Sequence, residues 1–520
     1  MSGNVSAQAV SFNTIPPNLR VPLFWAEVNN SQAGANQQNQ RALIIGGSLN
    51  TVPLAPVFMP PPSGTGAVGA AQAAAAQFGR GSMLAEMVAY YRMNDPYTEL
   101  WVLPVTDPGG GTAATGSLVI SGTATANGTL SLYIGDVLLQ VGVTSGQAAA
   151  TVAAAIATAV NAGLFPVTAT SASGTVSFTS KHKLIETNAL QLGLNYLGSV
   201  AGQSTPAGLT VSVTGFSGGA GVPLLTGMAA ALGVQDFDFI ICGYNDPTAL
   251  AACTAMMSDG AGRWSYINQL YGGVFAADVD TDANLLTLGG TVNDQHQVIW
   301  GAYGTPTPSW KVAAAATAAV VPSLVAQPNL PLQTLPAYGV MAPPAGPGAL
   351  PSVSTMQSLL TTGISLLSWD RTGLCRVIRC VTTYQTNPYG VADQSYLDVG
   401  TLYTLMAVLR TLQAMVTQRY GRVLLVADGT PIGAGIAAVS PRTVRADLVA
   451  EYTILEDLGL TQNSTAFAAG LIVTINANDP TRLDVLLDPY LVSGLAIFAV
   501  ACQFHLNTAV NNNAASTAAA

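Results

Sequence analysis

A chain of 520 residues has room for about two to four domains with ample core. Only 8% of it is charged, against roughly a quarter in an ordinary soluble domain, while 49% is hydrophobic. Either much of its surface is covered in an assembly, or its Gly/Ala bias is compositional drift. The net charge of −9, with lysine only at 181, 183 and 311, argues against nucleic-acid binding, which needs a basic patch to neutralise phosphates.

Residues 1–10 are polar or small. The next stretch, SFNTIPPNLRVPLF, is extended, because Pro16, Pro17 and Pro22 forbid a helix and hinder a central strand. It is either an arm lying on something or a frayed terminus. The first basic residue is Arg20 and no apolar core follows the start, so no signal peptide is expected.

A βαβ pattern then begins. RALIIGG (41–47) reads as a buried strand, residues 72–93 as a helical zone and ELWVLPV (99–105) as the next strand. The pattern stops at DPGGGTAATG and resumes after GFSGGAGVP (215–223), with a helix near 224–232. FDFIICGY (237–244), GGVFAAD (272–278) and HQVIWGAY (296–303) are further buried strands. Alternating strands and helices predict a mostly parallel sheet covered on both faces. The interruption, 107–222, reads as an inserted β-rich domain. Strands are expected near 117–121, 129–142, 167–170 and 174–179, with an Ala-rich helix over 145–162.

The tract 312–369 is uncharged, but Pro322, Pro328, Pro331 and Pro336 interrupt it, so no membrane span is expected. CRVIRCVTTY (375–384) is a strand. Leu402, Leu405, Met406, Leu409, Leu412 and Val416 make an amphipathic stripe over 398–420, with Asp398 as N-cap and Gly421 as stop. A second helix spans 441–458, with Pro441 in its first turn and Val444, Leu448, Val449, Tyr452 and Leu455 on its apolar face. The end of the chain is β-rich. Residues 471–475 and 483–487 flank a turn at Asn478, Asp479 and Pro480, the second strand having one buried face. A last strand, 497–506, is apolar on both faces. Such a strand needs cover on both sides, from earlier in the chain or from another molecule.

No chemistry stands out. Gly64, Gly66 and Gly69 with Glu86 spell a dinucleotide fingerprint, but Pro60, Pro61 and Pro62 precede it, which makes it a flexible loop. Gly215, Ser217 and Gly219, with Asp236 and His296, spell a hydrolase elbow on what reads as a floppy exit from the insertion. His182, His296 and His505 are too scattered for a metal pair. His182, between two lysines, is expected in a solvated turn, and His505 at a strand edge. Asp278, Asp280 and Asp282 read as a helix N-cap turn rather than a calcium loop. Cys242, Cys253, Cys375, Cys380 and Cys502 read as small buried hydrophobes in a reduced, cytosolic setting. No catalytic residue, metal or cofactor is expected.

The run SPRTVRADLVAEYTILEDLGLTQNSTAFAAGLIVTINANDPTRLDVLLDPYLVSGLAIFAVACQFHL (440–506) resembles the end of Mu-type phage tail sheath proteins. SFNTIPPNLRVPLFWAEV, RALIIG, FGRGSMLAEMVAYY (78–91) and the inserted segment 152–183 resemble that family too, in order along nearly the whole chain. Two departures are Asn463, where an acid is expected, and the alanine-rich tail after Asn507.

The resemblance implies a non-enzymatic subunit of a contractile tail. It implies hexameric rings, stacked helically around an inner tube protein, between baseplate and tail terminator, which contract to drive the tube through a bacterial envelope. Such a protein is assembled in the host cytoplasm and ends in the virion tail, with no nucleic acid bound and no membrane insertion. The implied layout is α/β and α+β, multidomain. Residues 1–24 form a linking arm, and 25–106 plus 223–383 a mostly parallel α/β core, subtilisin-like by resemblance. Residues 107–222 form an outer insertion, 384–494 a tube-proximal α+β domain and 495–520 a second arm and tail. The arms would pair between subunits through Phe12, Ile15, Leu19, Val21 and Leu23, and through Ile497, Phe498, Val500, Cys502, Phe504 and Leu506. Arg442 and Arg445 either face the tube or merely solvate their helix. The insertion is either outer decoration or a spacer between subunits. An α/β hydrolase and another self-assembling shell protein remain the alternative readings.

Overall fold

A nine-stranded sheet carries the centre of the molecule. Its order is Pro336–Ala337, Cys375–Arg379, Ile364–Trp369, Gln297–Gly301, Gly273–Asp278, Phe239–Cys242, Arg41–Ser48, Glu99–Thr106 and Val57–Met59. The computed structural model describes residues 40–61, 66–344, 351–431, 433 and 435–504. The N-terminal arm residues Phe12, Ile15, Leu19, Val21 and Leu23, together with His505 and Leu506, lie outside them.

Neighbours from Ile364–Trp369 through to Glu99–Thr106 run parallel, and antiparallel strands close both edges. The inner strands are buried along their length because helices cover both faces, which explains their unbroken apolar runs. The chain moves from Arg41–Ser48 outward to Glu99–Thr106. It then returns to the other side at Phe239–Cys242. The strand order therefore reverses beside Arg41–Ser48, the place where open α/β sheets usually hold a ligand.

The helical zone expected over 72–93 is two helices, Gly66–Phe78 and Met83–Asn94. Gly79 (φ +98°) and Gly81 (φ +74°) take backbone conformations that a side chain resists, and Ser82 Oγ caps the second helix by accepting from Ala85 N (3.2 Å). Gly66 and Gly69 are thus helical rather than in a flexible loop. Pro322 does not break the chain where an interruption was expected. Ser309–Ala326 continues through it, since the proline removes a single ladder bond and only one further turn follows. That helix and Val399–Tyr420 are long and apolar enough to cross a membrane. Ser309–Ala326 is a core helix, with Val312 to Ala316 fully buried. Helix Val353–Thr361 and strand Ile364–Trp369 also emerge from the uncharged tract, where no element was expected.

No strand of the 107–222 segment joins the central sheet. Leu209–Ser217, Thr115–Gly122, Thr175–Ser180 and Val167–Ala172 form one antiparallel sheet; Val137–Val143, Gly128–Ile134 and Leu192–Leu194 form another. Helix Ala149–Ala162 packs through Val152, Ile156 and Val160. The single strand expected over 129–142 is a hairpin turning at Gly135 and Asp136. The floppy exit is in part the end of the nine-residue strand Leu209–Ser217.

Towards the C-terminus the apolar core divides. Val399, Leu402, Tyr403 and Met406 belong to the main core, while Val408, Leu412 and Met415 of the same helix join a second cluster. That cluster holds Val444, Leu448, Tyr452 and Leu455 from helix Pro441–Asp457, together with Phe467 and Leu471. The Tyr452 and Phe467 rings stack 3.8 Å apart. Asp398 occupies the N-cap position but does not cap. Its carboxylate instead takes two 2.9 Å bonds from the Arg379 fork, a stronger charge-assisted partner than a backbone amide.

Ile472–Ile475 and Leu483–Leu486 pair as a hairpin across the Asn478–Pro480 turn. Its expected buried face is only half covered: Leu483 and Leu487 touch the second cluster, while Ile472, Val485 and Leu486 are exposed. Over its described residues, 497–504, the last strand does not form. Residues 492–504 have no regular structure, because no described neighbour offers the ladder partners that a strand requires.

Candidate functional site

Three places could carry function: the crevice at the strand-order reversal, the seam between the insertion and the central sheet, and the bare C-terminal segment.

The crevice is closed by the protein itself. Gly47, at the carboxyl end of Arg41–Ser48, lies so near His182 that a Cβ there would stand 2.6 Å from its ring. His182 is buried, not in a solvated turn. Its Nε2 accepts from Met83 N (3.0 Å), so Nδ1 carries the hydrogen and donates to Asp107 Oδ1 (2.8 Å). The second Asp107 oxygen accepts from Lys183 N (2.8 Å). The flanking lysines had suggested solvent, but the loop after Thr175–Ser180 folds back against Gly47 and sets the imidazole on the Met83 amide. A dinucleotide would require that space. Glu86, the acid of the suspected fingerprint, instead accepts from Trp310 Nε1 (2.8 Å) and pairs with Lys311 (3.2 Å) in the core.

The hydrolase constellation is not assembled either. Ser217 is exposed at a strand end. His296 is buried, with Nδ1 3.0 Å from Asp294 and Nε2 3.4 Å from Asp259. Burial alone would lower its pKa; the hydrogen bonds and charges of those two aspartates more than reverse this and raise it. The Asp278, Asp280, Asp282 run does serve a helix start. Thr281 is the N-cap of Asp282–Gly289, and Asp280 Oδ1 accepts from Asn284 Nδ2 (2.9 Å). No set of three His, Cys, Asp or Glu side chains able to hold a metal occurs among the described residues.

The seam is held by buried charge. Lys311 Nζ lies 2.9 Å from Asp136, at the turn of the inserted hairpin, and 3.2 Å from Glu86 on helix Met83–Asn94. Tyr90 donates its hydroxyl hydrogen to Asp136. Burial would lower the pKa of Lys311, but the two carboxylates outweigh it and raise it, so the ammonium stays charged. Lys311 was not among the expected site residues; its one signal is a lone lysine at the head of the uncharged tract 312–369.

The C-terminal segment is a run of apolar side chains without cover among the described residues. Leu495, Ile497, Phe498, Val500 and Phe504 are 67–81% exposed, and Cys502, expected to be buried, is exposed as well. Its root is fixed: Val492 N donates to Leu460 O (3.1 Å), and residues 492–494 line a groove with Asn329 to Leu332 and Arg379. Arg442 and Arg445 both lie exposed on helix Pro441–Asp457, away from its buried side. Arg445 Nη2 donates to Ala468 O (2.6 Å), and the Arg442 amide donates to Asp428 (2.9 Å).

No family model matches the chain. Over 509 residues, 96% of the chain and the whole of the relative, it is 33% identical to the Mu-like prophage FluMu tail sheath protein of Haemophilus influenzae. Among solved structures, the sheath tail protein of Desulfitobacterium hafniense covers 91% of this chain and 97% of its own, at 11% identity and TM-score 0.44. A chain of the anti-feeding prophage baseplate covers 54% and 73%, at 10% identity and TM-score 0.35. The full-length identity to the Haemophilus relative decides the matter: the chain belongs to the Mu-like phage tail sheath proteins, structural components of a contractile phage tail.

Proposed function

We propose that this sheath subunit polymerises as hexameric rings stacked helically around an inner tail tube, between baseplate and terminator, and contracts to drive the tube through the bacterial envelope. One observation carries the reading: an anchored, apolar C-terminal segment that the described residues of its own chain leave bare. The hairpin Ile472–Ile475/Leu483–Leu486 has no strand on either outer edge among the described residues. Each edge suits one added strand. Residues 12–23 of one neighbour and 495–506 of another would supply them, burying Ile497, Phe498, Val500, Cys502, Phe504 and Leu506. Contraction then needs no cofactor, since a lattice with two packings releases free energy when its contacts rearrange.

In this reading 25–106 plus 223–383 form the central α/β domain, subtilisin-like by resemblance. Residues 107–222 form the outer insertion and 384–494 the tube-proximal domain. Assembly takes place in the host cytoplasm. The test is negative-stain microscopy of the purified full chain, with and without tube and baseplate. Tubular polymers of stacked six-fold rings are expected; persistent monomers under every condition refute the proposal.

Arg442 and Arg445 are proposed to face the tube. Reversing both to glutamate is expected to abolish sheath assembly around the tube while leaving the unfolding midpoint within about 2 °C, because neither guanidinium is buried. Unimpaired assembly around the tube would reduce them to solvating their helix.

A further inference from the structure

His296 has more acceptors around it than a neutral imidazole can serve. It is 3% exposed at the head of strand Gln297–Gly301, with Nδ1 3.0 Å from Asp294 Oδ1 and Nε2 3.4 Å from Asp259 Oδ1. An ionised carboxylate only accepts hydrogen bonds, and a neutral imidazole has one N–H to give. Either neutral tautomer would therefore aim a bare lone pair at a carboxylate oxygen. The imidazolium, with two N–H groups, satisfies both sides.

The two aspartates belong to different parts of the chain. Asp294 lies in the turn that leads into the strand, and its Oδ1 also accepts from the His296 amide (2.9 Å). Asp259 lies in the loop 258–272, between helix Pro247–Met257 and strand Gly273–Asp278. Its Oδ2 accepts from Gln295 Nε2 (2.8 Å), so the carboxylate is held towards the strand head although it sits at the surface. The same loop lays Trp264 against the imidazole, with ring centres 4.8 Å apart. At its far end the loop meets helix Val399–Tyr420. Gln413 Nε2 donates to Gln269 Oε1 (2.7 Å), and Arg410 Nη2 donates to Tyr271 O (3.2 Å). Between these two ends Tyr266 and Ile267 stand out into solvent.

We propose that His296 is a pH-sensitive clasp: as an imidazolium it ties the 258–272 loop to the head of strand Gln297–Gly301, and loss of its proton releases the Asp259 end of that loop. Asp294 and Asp259 are the charged groups that face it, and neither pairs with a lysine or arginine among the described residues. Tyr396 also feels Asp259, and Cys253 feels Asp294. Burial holds that phenol up, and a hydrogen bond with Cys242 together with burial holds that thiol up, so both stay neutral where an imidazole titrates. His296 itself is raised from 6.5: burial alone would lower it, and the hydrogen bonds and charges of the two aspartates more than reverse that. A raised folded value gives the sign. The clasp contributes fully below the ordinary value of 6.5 and is lost as pH climbs through the folded value. Opening is confined to 258–262, because the buried Arg263 still donates to Gly233 O and Gln235 O and anchors the middle of the loop. The proposal goes beyond the sheath reading and holds for the subunit alone or in a polymer.

The test follows exchange of the imidazole C2 hydrogen for deuterium by peptide mass spectrometry on the full-length chain, which reads each histidine in any state of assembly. His296 is expected to titrate above 6.5, and Asp259→Asn, an exchange at the surface, is expected to move that midpoint down. Backbone amide exchange over 258–262, corrected for its intrinsic pH dependence, is expected to quicken through the same midpoint by about two- to fivefold, the worth of a partly exposed ion pair. In Asp259→Asn it is expected to be fast across the whole range. A His296 midpoint at or below 6.5 would overturn the proposal, as would a midpoint that Asp259→Asn leaves unmoved. So would amide exchange over 258–262 that ignores the titration, since the loop would then be held by Arg263 and Trp264 alone.

Discussion

A chain ending at Gly494 is expected to fold and to form no tubes. Within residues 495–504 every large apolar side chain lies open to water, so their removal takes no buried contact from either hydrophobic cluster. The cut falls beyond the Val492–Leu460 bond and the Tyr490–Leu491 bridge to Thr461–Gln462, which hold the root. Circular dichroism should be unchanged and the unfolding midpoint should move by no more than about 2 °C. Polymerisation should be lost altogether, because strand pairing and apolar burial between subunits disappear together. If the truncated chain unfolds instead, the segment belongs to its own subunit's core and the arm assignment is wrong.

Replacing Lys311 should have the largest effect on the folded subunit. Lys311→Met leaves Glu86 and Asp136 facing each other in a dry seam without a counter-charge, a loss of about 3–5 kcal/mol by denaturant titration. Combining it with Glu86→Gln and Asp136→Asn should recover most of that loss, because the penalty lies in the unpaired carboxylates and not in the missing ammonium. Since Asp136 belongs to the insertion, limited proteolysis should also find the linkers near 108–114 and 218–223 more open in the single variant. A single variant as stable as wild type would mean that the seam is held by packing alone.

The inner strands could be read directly from sequence because their apolar runs are unbroken, and both C-terminal helices because their stripes keep helical spacing. Other elements were hidden for identifiable reasons. Leu209–Ser217 alternates small polar residues with valines and is followed by Gly218 and Gly219, so it looks like a linker. Pro322 carries a strong prior against helix, yet near a helix end it costs one bond in a core that otherwise favours continuing. His182 shows the limit most clearly: its neighbours in sequence are lysines, but its neighbours in space are Gly47, Met83 and Asp107, and only the tertiary fold brings those together. The apolar end was legible in composition but not in conformation, since a strand is defined by its ladder partner and no described strand of the chain stands beside it.

One helix joins the two hydrophobic clusters. Val399–Tyr420 has 22 residues, so it is roughly 33 Å long. From its N-cap Asp398 to Arg410 it is bolted to the central sheet at three points: Asp398 to Arg379, Tyr403 Oη donating to Asp238 O (2.8 Å), and Arg410 pairing with the Asp238 carboxylate. Its lower half is the wall on which helix Pro441–Asp457 packs. A rod with no break along it has no hinge to absorb motion. A pull on the C-terminal segment would therefore be delivered as torque at Asp238, at the amino end of the inner strand Phe239–Cys242, and the two clusters would turn as one lever.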